Sequence, residues 1–213
     1  MPFDLPPVTR ALLIANVAIY LLQLLVGEPM IIWFALWPFG PSLPMEGGGS
    51  VGFEIWQLLS YGFLHGSLTH LLFNMIALWM FGGAIERLFG ARPFAIYYLI
   101  CVIGAAMAQL IVVRYFTGGF YPTLGASGGV FGLLLAFGLM YPQRRMMIIP
   151  IPVPIPAWVL VTGYGLIELV LGITGTQSGI AHFAHLGGMA AGFVLIQYWR
   201  GKLPLKPRRI LTR

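Results

Sequence analysis

The stretch Leu124-Gly125-Ala126-Ser127-Gly128-Gly129-Val130-Phe131-Gly132-Leu133-Leu134-Leu135-Ala136-Phe137-Gly138-Leu139-Met140-Tyr141 decides how the chain is read. It holds no charged residue and approaches the ~20 residues that a helix needs to cross a bilayer. Ser127 sits among small residues at the point where the apolar run begins. Glycine lets a backbone come close to a ligand or a neighbouring helix. A helix N-terminus leaves N–H groups unpaired, aimed where an oxyanion can form. Gly128 and Gly132 also make a G-x-x-x-G face, a pattern that packs membrane helices against one another. Alone, the stretch is open between a packing seam and a nucleophile, and a partner base has to decide.

Composition points the same way. Of 213 residues, 59% are hydrophobic and only 8% charged, with a mean hydropathy of +0.88. Soluble domains carry about a quarter charged residues, so this is an integral membrane protein. The fold class expected is all-α and polytopic, a compact bundle of six transmembrane helices forming one domain over 1–213, with a basic tail at 200–213. The spans read as Ala11–Val26, Leu68–Leu88, Phe94–Val113, Leu124–Tyr141, Ala157–Ile173 and Ala181–Trp199. The first is read as a retained anchor, because no small-residue cleavage site follows it. A single cysteine, Cys101, lies in an apolar run, which excludes an internal disulfide framework and a cysteine-rich zinc site.

The net charge of +6 invites a nucleic-acid partner. The basic residues instead lie beside apolar spans and read as topology determinants. With both termini cytoplasmic, all twelve lysines and arginines except Arg114 fall inside. That asymmetry is a strong positive-inside signal for a multi-pass protein of the inner (plasma) membrane, with the lipid bilayer and no nucleic acid as its surroundings. The first outer loop, from Glu28 to Ser67, carries no lysine or arginine and is long for so small a bundle. Its two aromatic halves, Ile31 to Trp37 and Phe53 to Phe63, are joined by Gly47-Gly48-Gly49-Ser50, and each is too short to span. The loop is expected to lie in the interface, partly helical. The inner run Pro150-Ile151-Pro152-Val153-Pro154-Ile155-Pro156 cannot be helical and sets the entry to the fifth span.

Polar residues inside the bilayer are costly and usually functional. His70 and Asn74 share a helix face at spacing i, i+4 near the outer end of the second span. His185, in Ala184-His185-Leu186-Gly187-Gly188, sits at the outer end of the sixth, the same level as Ser127. Ala184, Gly188 and Gly192 form a small-residue stripe that lets the fourth and sixth helices approach. Close approach puts the Ser127 hydroxyl within reach of the His185 ring, the geometry that a serine nucleophile requires.

Taken together, Gly-x-Ser-Gly at 125–128, His-x-x-x-Asn at 70–74 and Ala-His-x-x-Gly-x-x-x-Gly at 184–192 resemble the motif set of rhomboid intramembrane serine proteases. Gly-Gly-x-x-Glu-Arg at 82–87 adds to the likeness. The resemblance implies Ser127 as nucleophile and His185 as general base, with His70, Asn74 and the Ser127 N–H stabilising the oxyanion. It implies single-span membrane proteins as substrates, cleaved after a small side chain near the outer face. Two positions depart from the family pattern. Trp56-Gln57 stands where some members have Trp-Arg, and Phe131 stands where tyrosine often stacks on the catalytic histidine.

Glu168, within the fifth span, reaches His185 only if that helix leans in, so a structural hydrogen bond and a Ser–His dyad are expected. No H-E-x-x-H occurs, and His182 with His185 has no obvious carboxylate or thiolate companion. No cofactor and no metal are therefore expected. His65 and His182 are expected to cap or line a water-accessible mouth. Two other classes stay in play: a non-catalytic rhomboid-like protein that binds and escorts membrane helices, and a small channel or transporter. The latter is disfavoured because the polar groups cluster at one depth.

Overall fold

A computed structural model describes residues 5–45, 48–148, 151–175, 181–205 and 207. The first helix, α1 (Pro7–Val26), shows what kind of solvent the chain is built for. Its buried residues are Thr9, Asn16, Tyr20 and Gln23, while Leu21, Leu24 and Leu25 face outward. A soluble amphipathic helix does the reverse. In a bilayer the outer face is apolar and polar groups turn toward neighbouring helices. Pro7 begins the helix where its missing N–H costs nothing. The first turn is then capped from outside: the buried Glu86 carboxylate accepts from the Val8 N–H at 2.9 Å, the Thr9 N–H at 2.6 Å and the Thr9 hydroxyl at 2.7 Å. An anion on free N–H groups at a helix N-terminus is a favourable arrangement.

The outer loop is partly helical, as its composition suggests. It runs through α2 (Glu28–Phe34), a small hairpin of β1 (Leu43–Pro44) and β2 (Ser50–Val51), α3 (Gln57–Ser60) and a 3₁₀ turn at Tyr61–Phe63. Gln57 is its hub. The side-chain oxygen accepts from Trp37 N–H at 3.1 Å and Glu54 N–H at 3.2 Å, and the amide donates to the Gly52 carbonyl at 3.2 Å. A buried neutral amide thus satisfies backbone groups of the loop where an arginine would bring a charge. Glu46 and Gly47 lie outside the described residues.

The second apolar segment forms α4 (Leu68–Ala77), a π turn at Leu78–Gly82 and α5 (Gly83–Phe89). The third forms α6 (Ala91–Val112), continued by a π turn to Thr117. The fourth forms α7 (Ser127–Met140). Next, β3 (Arg145–Ile148) pairs antiparallel with the proline-rich β4 (Ile151–Pro156). The Ala157 N–H donates to the Arg144 carbonyl, so by alternation Pro154 and Pro156 fall at positions whose N–H would point away from the partner strand. The last helices are α8 (Ala157–Thr174) and α9 (His182–Trp199).

Four of these helical segments are long and apolar enough to cross a membrane: Pro7–Val26, Leu68–Phe89, Ala91–Thr117 and Ala157–Thr174. The helix that carries Ser127 is shorter, at 14 residues, and α9 has 18. The protein is an all-α, multi-pass membrane protein. Its core is α6, packed against α9 and α7 around fully buried Phe94, Tyr97, Tyr98, Leu133 and Ile196. Backbone meets backbone there. A Cβ on Gly188 would strike the Gly128 carbonyl, and one on Gly128 would strike the Ala105 side chain. Residues 206 and 208–213 of the basic tail lie outside the described residues, as does Asp4.

Candidate active site

Ser127 is the first residue of α7, so the N–H groups of its first turn have no acceptor within the helix. The chain reaches it through Gly125, whose φ of 132° is a conformation that L side chains rarely adopt. A Cβ at Gly125 would also lie 2.6 Å from Cε1 and 2.8 Å from Nε2 of His70. The His70 ring therefore lies against the turn that presents Ser127. Two other contacts hold the segment: Gly125 N–H donates to the Tyr61 carbonyl, and Leu36 and Thr123 exchange backbone bonds at 2.9 Å. Stacking of Trp37 on Phe120, with centroids 5.2 Å apart, ties the outer loop to the same approach.

His185 comes from the first turns of α9. Its Nε2 lies 2.8 Å from Ser127 Oγ, made possible by the close contact at Gly128 and Gly188. Phe131, one turn along α7, lies flat on the His185 ring with centroids 4.2 Å apart and planes 5° apart. The ring-on-ring contact implied for a tyrosine at this position is made here by phenylalanine. Asn74 is buried, and one amide hydrogen is donated to the His70 carbonyl at 3.0 Å. Its second amide hydrogen is left for another acceptor. The fold thus brings Ser127 and His185 into hydrogen-bond contact and sets His70 beside the Ser127 turn, with Asn74 one helical turn further along α4.

Three readings of the sequence need correction. His65 does not line a mouth. It is fully buried, its backbone clamped by Gln23, which donates to the His65 carbonyl at 2.8 Å and accepts its N–H at 3.1 Å. The ring is wedged edge-on between Tyr20 and His70. His182 is also buried. The third concerns the companion of the histidine pair, which does exist: α8 packs against α9 and brings Glu168 to both rings. Glu168 Oε2 is 2.7 Å from His182 Nδ1 in a hydrogen bond and 2.9 Å from His185 Nδ1, the latter approaching off the ring's N–H axis. The signal was present in the sequence as an ionisable residue inside an apolar span.

These three side chains also form the one cluster among the described residues with metal-ligating atoms within 4.8 Å of one another. Two histidines and a carboxylate are ligand types that zinc takes. In this arrangement the carboxylate oxygen is already the acceptor for His182, and the two nitrogens of His185 face Glu168 and Ser127.

A serine hydroxyl bonded to a histidine inside a bundle of apolar helices defines the class: a helical membrane protein with a polar site enclosed near one end of its core. The chain belongs to the rhomboid family, since the Rhomboid domain model matches residues 52–201, which include His70, Asn74, Ser127 and His185. It is 32% identical over 199 residues to a protein named Rhomboid protease GlpG from Klebsiella pneumoniae subsp. pneumoniae, and equally to one of that name from a second K. pneumoniae strain. These alignments cover 89% of this chain and 62% of each relative. The chain therefore spans less than two thirds of the length of the curated relatives it matches.

Proposed function

We propose that the chain is an intramembrane serine endopeptidase that cleaves transmembrane segments of single-span membrane proteins, with Ser127 as nucleophile and His185 as general base. The observation that carries this is the 2.8 Å contact between Ser127 Oγ and His185 Nε2 at the head of α7. His185 takes the hydroxyl proton as Oγ attacks the scissile carbonyl carbon. The oxyanion is received by the Ser127 N–H, the free amide hydrogen of Asn74 and the His70 ring. His185 then passes the proton to the departing amine and the C–N bond breaks, leaving an acyl ester on Ser127. Water, activated by His185 in turn, attacks the ester and releases the acid, restoring the serine. None of these steps calls for a cofactor or a metal.

The six-span topology with both termini cytoplasmic, in the plasma (inner) membrane, belongs to the same proposal and rests on the charge asymmetry. It sets the site near the outer interface, where water arrives. A substrate carbonyl in an intact helix is already hydrogen-bonded, so the segment must unwind, which glycine or proline makes less costly. Cleavage is then expected in the outer third of the substrate span, after Ala, Ser, Gly or Cys. The test is a fluorophosphonate probe together with mapping of the cut by mass spectrometry. Labelling and proteolysis lost together in Ser127→Ala and in His185→Ala support the reading. A folded protein that neither labels nor cleaves supports the escort alternative. Residues that act as a unit are non-additive, so the double variant should be no worse than either single one.

A further inference from the structure

We propose that Glu168 is the positioning residue of the site, a third member that holds His185 in the tautomer and orientation needed to face Ser127, with His182 bracing the carboxylate. This rests on the reading of Ser127 and His185 given above. Three buried side chains carry it: Glu168, His182 and His185 are 8%, 5% and 9% exposed. Glu168 is the only acidic or basic side chain of α8, a helix whose neighbouring Leu166, Ile167, Leu169 and Val170 face outward. Among these neighbours it is the one that is buried, and its Oε2 lies within 2.9 Å of one ring nitrogen from each histidine.

The chemistry of a carboxylate decides what those contacts mean. An ionised carboxylate only accepts, so a nitrogen held 2.9 Å from its oxygen is favoured when it bears a proton and repelled when it presents a lone pair. His185 Nδ1 is therefore the protonated nitrogen, and Nε2 keeps the lone pair. Nε2 is the atom 2.8 Å from Ser127 Oγ, so the tautomer selected by Glu168 is the one able to take the serine proton. Once His185 is protonated, the carboxylate faces the new positive charge at the same distance. The hydrogen bond from His182 Nδ1 at 2.7 Å fixes the oxygen between the two rings. Phe131 covers the His185 ring face and holds the ring to one plane, leaving the exchange of its two edges by a half-turn flip as the freedom that the carboxylate opposes. The approach to His185 lies off the N–H axis, so the contact acts chiefly through charge.

A residue that merely staples α8 to α9 would be equally buried, so the test separates charge from packing. The variants are Glu168→Gln and Glu168→Asp, in full-length protein reconstituted with a single-span substrate. Glu168→Gln should lower kcat about 10²-fold with KM little changed and the thermal unfolding midpoint retained. Glu168→Asp should recover at least about a tenth of the lost turnover. If Glu168→Gln keeps kcat within about threefold while Ser127→Ala is silent, this inference fails and the Ser127 reading stands. If Ser127→Ala still cleaves, the functional reading itself fails. Should Glu168→Gln not fold, ¹⁵N-histidine NMR on the unmutated protein decides the matter. The His185 signal, assigned by its loss in His185→Gln, should report a protonated Nδ1 and a bare Nε2, and the opposite tautomer overturns the proposal.

Discussion

The rings of Phe131 and His185 lie parallel, 5° apart in plane and 4.2 Å between centroids, and both residues sit about one helical turn from the close approach of Gly128 and Gly188. Phe131 also meets Tyr164 of α8 edge-on. The phenyl face thus holds the imaginable positions of the imidazole to one plane. A stacked aromatic pair contributes about 0.5–1.5 kcal/mol beyond its burial. Phe131→Leu is therefore expected to lower kcat by roughly three- to tenfold, and Phe131→Tyr to leave it nearly unchanged. Turnover in proteoliposomes measures this, and an unaltered kcat in Phe131→Leu would mean that the stack does not orient the base.

Asn74 offers one amide hydrogen beyond the bond it makes to the His70 carbonyl. A side-chain donor to an oxyanion is worth on the order of 10²–10³ in turnover. Asn74→Ala should lose that much in kcat with KM nearly constant, and His70→Ala should move in the same direction. A rise in KM with kcat intact would assign Asn74 to substrate binding instead.

Gly188 sits where an added methyl would press on the Gly128 carbonyl. Overpacking of this kind costs about 1–3 kcal/mol, and the strain falls on the two helices that carry Ser127 and His185. Gly188→Ala is expected to lower the unfolding midpoint and to reduce fluorophosphonate labelling about 10²-fold through misplacement of His185. Gly163, on α8, has open space around it, so Gly163→Ala serves as the control and should be neutral or slightly stabilising. Equal behaviour of the two variants would contradict the backbone contact.

His65 carries a pH dependence. Burial first, and the neighbouring His70 second, push its pKa down to about 4, against a smaller upward pull from the Phe63 backbone. The unfolded chain protonates near 6.5, so between about 6.5 and 4 the unfolded state binds more protons than the folded one. Stability is unaffected by this group above that window, falls as pH drops through it, and is fully reduced below about 4. Neither ring nitrogen has a hydrogen-bond partner of good geometry among the described residues, so His65→Phe removes the titrating group at little cost in hydrogen bonding. Thermal unfolding in detergent from pH 8 to 4 should show a shallower acid loss in His65→Phe than in the unmutated protein. Parallel curves would mean that His65 is protonated in the fold.

Much of the architecture is local and was legible in the residues. Hydropathy sums along a segment, so each apolar run expected to be helical is a helix, and the alternating prolines before Ala157 forbid one there. Ser127 and His185 were legible because each stands beside a small-residue stripe on its own helix. What the chain order did not disclose is how helices lean and rotate against one another. Glu168 reaches His185 only because α8 packs against α9 with this residue facing it, and helix packing is set by neighbouring helices rather than by the length of an apolar run. In the same way, Gln23 meets His65 and Gln57 gathers the outer loop through contacts between segments that no window of sequence contains. Sequence alone determined a helical membrane protein with a serine and a histidine at one depth. The tertiary structure decided which carboxylate faces that histidine, because interhelical distance is a property of the packed bundle.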